Sequence, residues 1–262
     1  SVVIIGASHA GIACAEALRR SGDTDKIVLI DKLSGFPVQR PPLSKQFLLS
    51  EDTADSHSDD EYLLRKSDWY ETNKITFLNG VNVIDIDPEL KTVSLSSGDV
   101  YGYDHLVLAT GATPRMLPKA VGLEGVHVLR SPTDAEFLRS AIKTSHRAAV
   151  IGGGYIGLEV AASLRSVSIP VDLIEVESRL LSSLSSQHVS DYLKSLHQKK
   201  GVSFHFGEAI VEIVYSKTNR VRAIKLSAGY TINCDLLVFG IGVSPNIKLA
   251  KELGLTVLDG VK

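Results

Sequence analysis

The sequence predicts an α/β fold with two domains of the same design, because one pattern occurs twice along the chain. Residues 3–11 and 149–157 each consist of an apolar run that leads into a turn of small residues. In each copy a helical stretch follows, at 12–20 and 158–165, and a second apolar run ends in an acidic residue. This order is that of a βαβ unit, in which a helix joins two parallel strands. We therefore expect two domains that each contain a parallel sheet.

The repeat extends beyond the βαβ unit, since the two halves also close alike. Asp104–Pro114 and Asp235–Pro245 both begin with an aspartate, continue as an apolar strand and end in a glycine-containing turn with a proline. Before each closing strand, short apolar segments alternate with turn residues such as Ser97-Gly98 and Ala228-Gly229. Such spacing is typical of an antiparallel meander laid beside a parallel sheet. The duplication therefore spans whole domains.

Each turn matches the glycine fingerprint of Rossmann-type dinucleotide-binding domains. A helix N-terminus offers free N–H groups and a partial positive charge, which neutralise a pyrophosphate when no bulky side chain intervenes. The second copy has glycines at 152, 154 and 157, and the first has Gly6 and Gly11 with Ser8 in the middle position. One such turn alone also suits a strand-to-helix connection with packing glycines. Two turns in register predict two dinucleotide sites, and hence two cofactors that exchange electrons.

The acidic residues that end the second strands support this interpretation. Asp31 and Glu175 stand where a carboxylate accepts hydrogen bonds from the ribose hydroxyls of a dinucleotide. Glutamate at this position favours NADH over NADPH, because a 2′-phosphate would be repelled by the carboxylate. Arg179, a few residues later, leaves some use of NADPH open.

Composition excludes several classes of function. The chain has 262 residues, enough for two domains, and 44% of them are hydrophobic. A net charge of −2 provides no basic field, so the sequence predicts no nucleic-acid partner. No apolar run is long enough to cross a bilayer, and the chain opens on a strand without a charged leader, so we expect a cytoplasmic protein without membrane association, or one whose targeting segment lies outside this sequence.

Candidate metal and thiol chemistry finds little support. Cys14 and Cys234 lie far apart on different predicted domains and form neither a disulfide framework nor an iron–sulfur site. The spacing of His188, His197 and His205 matches no metal-ligand pattern. The acidic run Glu51–Glu61 predicts a solvated loop, with partner docking as the less favoured alternative.

A further motif, at residues 40–45, links these features to a known family. It has the sequence Arg-Pro-Pro-Leu-Ser-Lys, and it is followed by Ala-Thr-Gly-Ala-x-Pro-Arg from Ala109 and Gly-Gly-Gly-Tyr-Ile-Gly-Leu-Glu from Gly152. With the double fingerprint, the chain resembles the FAD-dependent NAD(P)H:ferredoxin reductases of the putidaredoxin reductase and aromatic-dioxygenase type, with apoptosis-inducing factor as a more distant relative. The likeness runs from Val2 to the end of the chain.

The resemblance implies a domain arrangement and a set of site residues. FAD would bind a domain formed by 1–114 and 246–262, and NAD(H) a domain of 115–245 inserted in it. Ala10, Asp31, Lys45, Val83 and Arg130 would contact FAD, Lys45 near the flavin ring, and Glu159 would lie near the nicotinamide. The full set of implied cofactor-binding residues is Gly6, Ser8, His9, Ala10, Gly11, Asp31, Arg40, Pro41, Lys45, Val83, Ala109, Thr110, Gly111, Arg130, Gly152, Gly154, Tyr155, Ile156, Gly157, Glu159, Glu175, Gly240, Ile241 and Gly242.

The resemblance also implies an activity, with Lys45 and Glu159 as catalytic residues. A hydride would pass from NADH to flavin N5, and the flavin would hand single electrons to a ferredoxin-type iron–sulfur protein. Lys45 would stabilise negative charge on the reduced ring. The alternative is a scaffold flavoprotein like apoptosis-inducing factor, with slow NADH oxidation. Thiol chemistry is not expected, because residues 15–233 contain no cysteine.

The end of the chain departs from the family pattern. Family members continue with a Gly-Asp segment that binds FAD and with a β-rich C-terminal domain, whereas this sequence stops at Lys262. We therefore expect the chain to be part of a longer reductase that lacks its C-terminal portion. No motif in the sequence identifies the ferredoxin that it would reduce or its oligomeric state.

Overall fold

A computed structural model describes residues 1–50 and 59–262 of the chain, so most of the predicted acidic loop lies outside the described residues. The chain forms two compact units. Unit 1 contains Ser1–Gln39, Thr53–Thr113 and Ser244–Lys262, and unit 2 contains Arg40–Asp52 and Pro114–Val243. These bounds differ from the predicted domains chiefly in one segment, because Arg40–Asp52 belongs to unit 2.

The regular elements are as follows. The strands are β1 (Val2–Ile5), β2 (Ile27–Ile30), β3 (Ile75–Leu78), β4 (Val83–Asp87), β5 (Thr92–Leu95), β6 (Val100–Gly102), β7 (His105–Leu108), β8 (Ala112–Pro114), β9 (Val126–His127), β10 (Ala148–Ile151), β11 (Val171–Glu175), β12 (Val202–Phe206), β13 (Ile210–Tyr215), β14 (Val221–Leu226), β15 (Thr231–Asn233), β16 (Leu236–Phe239) and β17 (Val243–Pro245). The α-helices are α1 (His9–Arg20), α2 (Gln46–Leu49), α3 (Ser67–Thr72), α4 (Pro132–Ile142), α5 (Tyr155–Ser166), α6 (Gln187–Lys199) and α7 (Lys248–Glu252), and 3₁₀ helices span Pro41–Ser44, Asp59–Tyr62 and Pro118–Ala120.

Unit 1 is built on a parallel sheet with the strand order β3-β2-β1-β7. Val2 of β1 pairs in register with Ile27 on one side and His105 on the other. All four residues of β1 are buried, as expected for a central strand covered on both faces. The antiparallel meander β4-β5-β6 accompanies this sheet, so the predicted combination of parallel sheet and meander is confirmed in unit 1.

Unit 2 repeats the design with a larger parallel sheet of order β12-β11-β10-β16-β9 and a meander β13-β14-β15. Its core joins the sheet to the meander, since Ala149, Ile174 and Phe239 of the sheet pack in one cluster with Ile213 and Ile224 of the meander. The predicted α/β fold class is therefore confirmed. Within the described residues, no helix is long and apolar enough to cross a membrane.

The fingerprint glycines lie where the chain backbone comes closest to itself. Gly6 has φ +106°, and a Cβ placed on it would stand 2.1 Å from the carbonyl oxygen of Ala109. A Cβ on Gly11 would stand 1.8 Å from the carbonyl oxygen of Gly6. The helices also begin three residues earlier than predicted, at His9 and Tyr155, because the small residue before each one allows the helix to start directly after the turn.

We predict that Gly11→Ala destabilises the protein by about 3 kcal/mol or prevents folding, because the added methyl group overlaps a backbone atom that cannot move aside. The matched control is Gly102→Ala in the same unit, since a Cβ there would lie 3.9 Å from the nearest atom, the Lys91 carbonyl oxygen. Thermal and urea unfolding midpoints measure both variants. Equal midpoints for the two variants would contradict the close approach of α1 to the turn.

Candidate functional site

The turn after β1 is held by the carboxylate that follows β2. The backbone N–H of Ala7 donates to Asp31 Oδ2 at 2.8 Å, and the N–H of Leu33 donates to Oδ1 at 2.9 Å. The N–H of Gly6 donates to the carbonyl oxygen of Ile30 at 2.7 Å. Asp31 therefore shapes the turn as well as standing at the predicted ribose position, since each of its oxygens has a second lone pair for a ligand.

The turn after β10 has the same construction. The N–H of Gly153 donates to Glu175 Oε2 at 2.6 Å, and the N–H of Glu177 donates to Oε1 at 2.9 Å. A Cβ on Gly157 would lie 1.9 Å from the carbonyl oxygen of Gly152, as at the corresponding glycine of unit 1. Sequence reasoning placed both acids but missed their hydrogen bonds to the turns. The shared spacing of turn and acid was the signal that could have indicated them.

The first turn of α1 presents a helix N-terminus with little side-chain cover. Ser8 is the N-cap residue, but its side chain makes no capping hydrogen bond and its Oγ lies 3.4 Å from His9 Nδ1. Ala10 is exposed, and the first turn contains no acidic residue. The positive end of the helix dipole at Ser8–Ala10 is therefore compatible with an anion.

The remaining predicted residues of unit 1 follow β7 or begin β4. Ala109, Thr110 and Gly111 directly follow β7, and a reciprocal pair of hydrogen bonds ties Thr110 to Asn246: Thr110 Oγ1 donates to the Asn246 carbonyl at 2.7 Å, and Asn246 Nδ2 donates to the Thr110 carbonyl at 2.8 Å. Val83 begins β4 and packs, half-buried, against the cluster that contains β1.

Unit 2 contains a pocket of about 640 Å³ that opens at the carboxyl ends of its parallel strands. This is the edge at which parallel α/β sheets bind ligands. Predicted site residues form much of its wall. Those that line it are Arg40, Arg130, Gly152, Gly154, Tyr155, Ile156, Glu175, Gly240, Ile241 and Gly242.

Arg130 brings an unpaired donor to this pocket. Its Nε is buried and has no hydrogen-bond partner among the described residues. Its backbone N–H donates to Asp134 Oδ2 at 3.0 Å, and the same carboxylate takes part in the capping box of Ser131 and Asp134 that starts α4. Because a buried donor without a partner is costly, this guanidinium is suited to an oxygen-rich ligand.

The predicted catalytic residues meet in one ion pair. Lys45 Nζ lies 2.7 Å from Glu159 Oε1, and Ser44 Oγ donates to Glu159 Oε2 at 2.5 Å. Lys45 Nζ also donates to the carbonyl oxygen of Pro41 at 3.2 Å. The Lys45 side chain is 45% exposed and the Glu159 side chain 31%, so both groups remain accessible to a ligand.

The motif at residues 40–45 is anchored to two helices of unit 2. The buried hydroxyl of Ser163 on α5 donates to the carbonyl oxygen of Ser44 at 2.7 Å. Arg139 on α4 donates to Ser50 Oγ at 3.0 Å and stacks over the Phe47 ring at 5.0 Å. These contacts explain why the segment belongs to unit 2 and not, as predicted, to the first domain.

Arg179, for which the sequence left a contact with NADPH open, has hydrogen bonds to two backbone carbonyls. Its Nη2 donates to the carbonyl oxygen of Ser182 at 2.5 Å, and its Nη1 donates to that of Leu180 at 3.4 Å.

Sequence reasoning also missed Glu208, which lines the pocket two residues beyond the end of β12. The signal that could have indicated Glu208 is its position just after β12, the strand that pairs with the Glu175 strand β11.

Two of the histidines and both cysteines are hydrogen-bonded or partly or fully buried within the fold. His205 lies between Asp172 Oδ1 and the Tyr230 hydroxyl, 2.9 Å from each, and His197 is buried. Across the described part of the chain, no group of three or more His, Cys, Asp or Glu residues is arranged to hold a metal. Cys14 is half-buried, and burial raises the pKa of its thiol. Burial, followed by the nearby Asp235, raises the pKa of Cys234 to about 12.

Comparisons with known proteins agree on one family. The family model described as pyridine nucleotide-disulphide oxidoreductase matches residues 1–262. Rhodocoxin reductase of Rhodococcus erythropolis is 37% identical over 262 residues, which cover 100% of this chain and 60% of that protein. The ferredoxin–NAD(+) reductase component of the p-cumate 2,3-dioxygenase system of Pseudomonas putida is 38% identical over 262 residues, 100% of this chain and 62% of that protein.

A solved structure shows the same likeness. The covalent putidaredoxin reductase–putidaredoxin complex matches with a TM-score of 0.92 and 36% identity, over 99% of this chain and 62% of that chain. The chain therefore spans about 60% of the length of the curated relatives described above.

We predict that Ser163→Ala loosens the segment around the motif, because it leaves the Ser44 carbonyl without its buried donor, at a cost of about 1–3 kcal/mol. Hydrogen–deuterium exchange of peptides covering residues 41–49 should become faster. Ser166→Ala on the same helix is the control, since Ser166 Oγ donates to the Ser163 carbonyl and contacts no part of the segment. Unchanged exchange in Ser163→Ala would contradict the anchoring role.

Proposed function

The chain belongs to the pyridine nucleotide-disulphide oxidoreductase family, and we propose that it is the nucleotide-binding part of an NADH-dependent flavoprotein that reduces a ferredoxin-type iron–sulfur protein. One observation carries the proposal: the chain contains two turns of identical construction, each braced by an acid, in two separate units. A protein with two such turns is suited to two dinucleotides, one that delivers electrons and one that receives them.

We assign NAD(H) to the second turn. The pocket beside it is bordered by the glycine turn, by Glu175 and by the loop Gly240–Gly242. A Cβ on Gly154 would lie 3.9 Å from its nearest neighbour, the Gly240 carbonyl oxygen, so this side of the turn leaves room for a ligand. These features fit a pyrophosphate with a ribose on the carboxylate side.

We assign FAD to the first turn. Gly6 and Gly11 leave no side chain between strand and helix, Ser8 is small, and Asp31 stands at the ribose position. The resemblance implies that Ala10, Lys45, Val83 and Arg130 also contact FAD. The predicted assignment of FAD to residues 1–114 and 246–262, and of NAD(H) to residues 115–245, is thus kept as a proposal, apart from the segment 40–52.

FAD, when bound, accepts a pair of electrons from NADH and releases them one at a time to a one-electron acceptor. The chain's own residues supply orientation and charge. Glu175 and Asp31 would hold the two riboses, and the N-termini of α5 and α1 would neutralise the two pyrophosphates. The Lys45 ammonium would stabilise negative charge near it, and Glu159 holds that ammonium in place at 2.7 Å.

The proposed electron acceptor rests on the relatives. One of them is named as a ferredoxin–NAD(+) reductase component, and one solved neighbour is a reductase linked covalently to putidaredoxin. We extend this partner class to this protein. The predicted cytoplasmic location and the absence of nucleic-acid binding stay predictions.

We predict that the purified chain, supplied with FAD and desalted, retains a visible flavin band that bleaches on anaerobic addition of NADH. Absorbance spectra before and after NADH measure this directly. A chain that retains no flavin would contradict the FAD assignment for residues 1–262. If the band bleaches, added ferredoxin should support rapid reduction of cytochrome c, whereas slow bleaching followed by a long-lived NADH complex would favour the alternative of a scaffold flavoprotein.

We predict that Lys45→Met keeps FAD but slows bleaching by NADH roughly tenfold or more, because it removes the positive charge that Glu159 orients. Stopped-flow absorbance at saturating NADH separates this rate from binding. Lys225→Met is the control, since Lys225 is exposed on β14 of the same unit and does not line the pocket. Bleaching of Lys45→Met at the rate of the unchanged chain would remove Lys45 from the mechanism.

A further inference from the structure

Glu208 lies beside Glu175 at one end of the pocket. β12 pairs with β11 so that Phe206 is the register partner of Glu175, and Glu208 follows two residues later. The backbone N–H of Glu208 donates to the Glu175 carbonyl oxygen at 3.2 Å. Both residues line the pocket, so two acidic residues stand on its β11–β12 side.

The Glu208 carboxylate is fixed in place and ionised. Ser227 Oγ donates to its Oε2 at 2.5 Å, and the N–H of Ala228 donates to the same oxygen at 3.0 Å. These two hydrogen bonds, the first more than the second, hold the pKa of Glu208 below its usual range. The side chain therefore keeps its negative charge at neutral pH and cannot rotate away without losing both bonds.

Three basic side chains in this part of unit 2 are already engaged within the protein. His205, which acts electrostatically on Glu208, lies between Asp172 Oδ1 and the Tyr230 hydroxyl. Arg179 donates to Leu180 and Ser182, and Lys119 Nζ donates to the carbonyl oxygens of Ile210 and Val211, each at 2.8 Å. The N–H groups of Arg179 and Lys119 that make these hydrogen bonds are therefore not available to bind a phosphate.

The pocket's arginines belong to its other side. Arg130 follows β9, which is the opposite edge of the five-stranded sheet from β12. Four strand spacings of about 4.8 Å separate those edges, or about 19 Å. Arg40 begins the segment that packs on α4, and α4 itself follows β9. The acidic lining residues therefore lie on the β12 side of the pocket and the two arginines on its β9 side.

We propose that Glu208 is a second specificity-determining residue, which acts with Glu175 to reject nucleotides that carry a 2′-phosphate. The inference rests on the proposed binding of NADH in this pocket. A 2′-phosphate adds a charge of about −1.5 to −2 at the ribose, and it would face two fixed carboxylates instead of one. A nucleotide with a free 2′-hydroxyl meets no such repulsion, so Glu208 affects NADPH far more than NADH.

The test compares NADH and NADPH binding to the full chain by titration of nucleotide fluorescence, without added FAD. Glu208→Gln removes the charge and keeps an oxygen that accepts from Ser227 and Ala228. We expect it to bind NADPH about fivefold to tenfold more tightly while NADH affinity changes less than twofold, as for the loss of one partly screened charge. The gain should shrink in about 0.5 M salt, because screening weakens the repulsion.

The control is Glu212→Gln, which removes an exposed carboxylate of β13 that does not line the pocket, and it should leave both affinities unchanged. Glu208→Ala serves as a second neutral variant, with thermal melting to verify folding, and it should shift the NADPH to NADH ratio in the same direction. If the unchanged chain binds NADH and neither neutral variant shifts the ratio, the inference about Glu208 is overturned. If the unchanged chain binds neither nucleotide, the proposed NADH pocket fails and the inference fails with it.

Discussion

The contact of backbone with backbone at the fingerprint glycines is the constraint on which both sites depend. At Gly11 and Gly157 the helix lies so close to its turn that a Cβ would stand within 1.9 Å of the carbonyl oxygen of Gly6 or Gly152. This proximity places each helix N-terminus directly above the end of its strand. It also leaves the turn amides of Ala7 and Gly153 facing the acid of the neighbouring strand.

Asp31 and Glu175 each brace a turn of the fold and also stand at a proposed ribose-binding position. Each carboxylate spends one lone pair per oxygen on the backbone of its own unit, which fixes the side chain before any ligand arrives. A fixed acceptor loses little conformational freedom on binding, so it discriminates between ligands more sharply than a mobile one. In unit 2 this principle extends to Glu208, whose carboxylate is held by the turn that connects β14 and β15.

The segment Arg40–Asp52 shows how packing reassigns residues that the sequence places elsewhere. It follows the first βαβ unit in the chain, yet Ser163 of α5 and Arg139 of α4 bind it to unit 2. The consequence is chemical, because the same packing brings the Lys45 ammonium to the Glu159 carboxylate. Two residues that are 114 positions apart in the sequence thus form one ion pair.

The sequence by itself determined the fold class, the two turns and the two acids, because glycine spacing, apolar periodicity and the acid at a strand end are local patterns. It also determined which residues are small enough for the backbone contacts. The tertiary structure alone decided what Arg179, Lys45 and Glu208 contact. Their partners are backbone carbonyls, a carboxylate on another helix and a distant turn, and such contacts depend on how strands and helices pack, a relation that no spacing in the chain encodes.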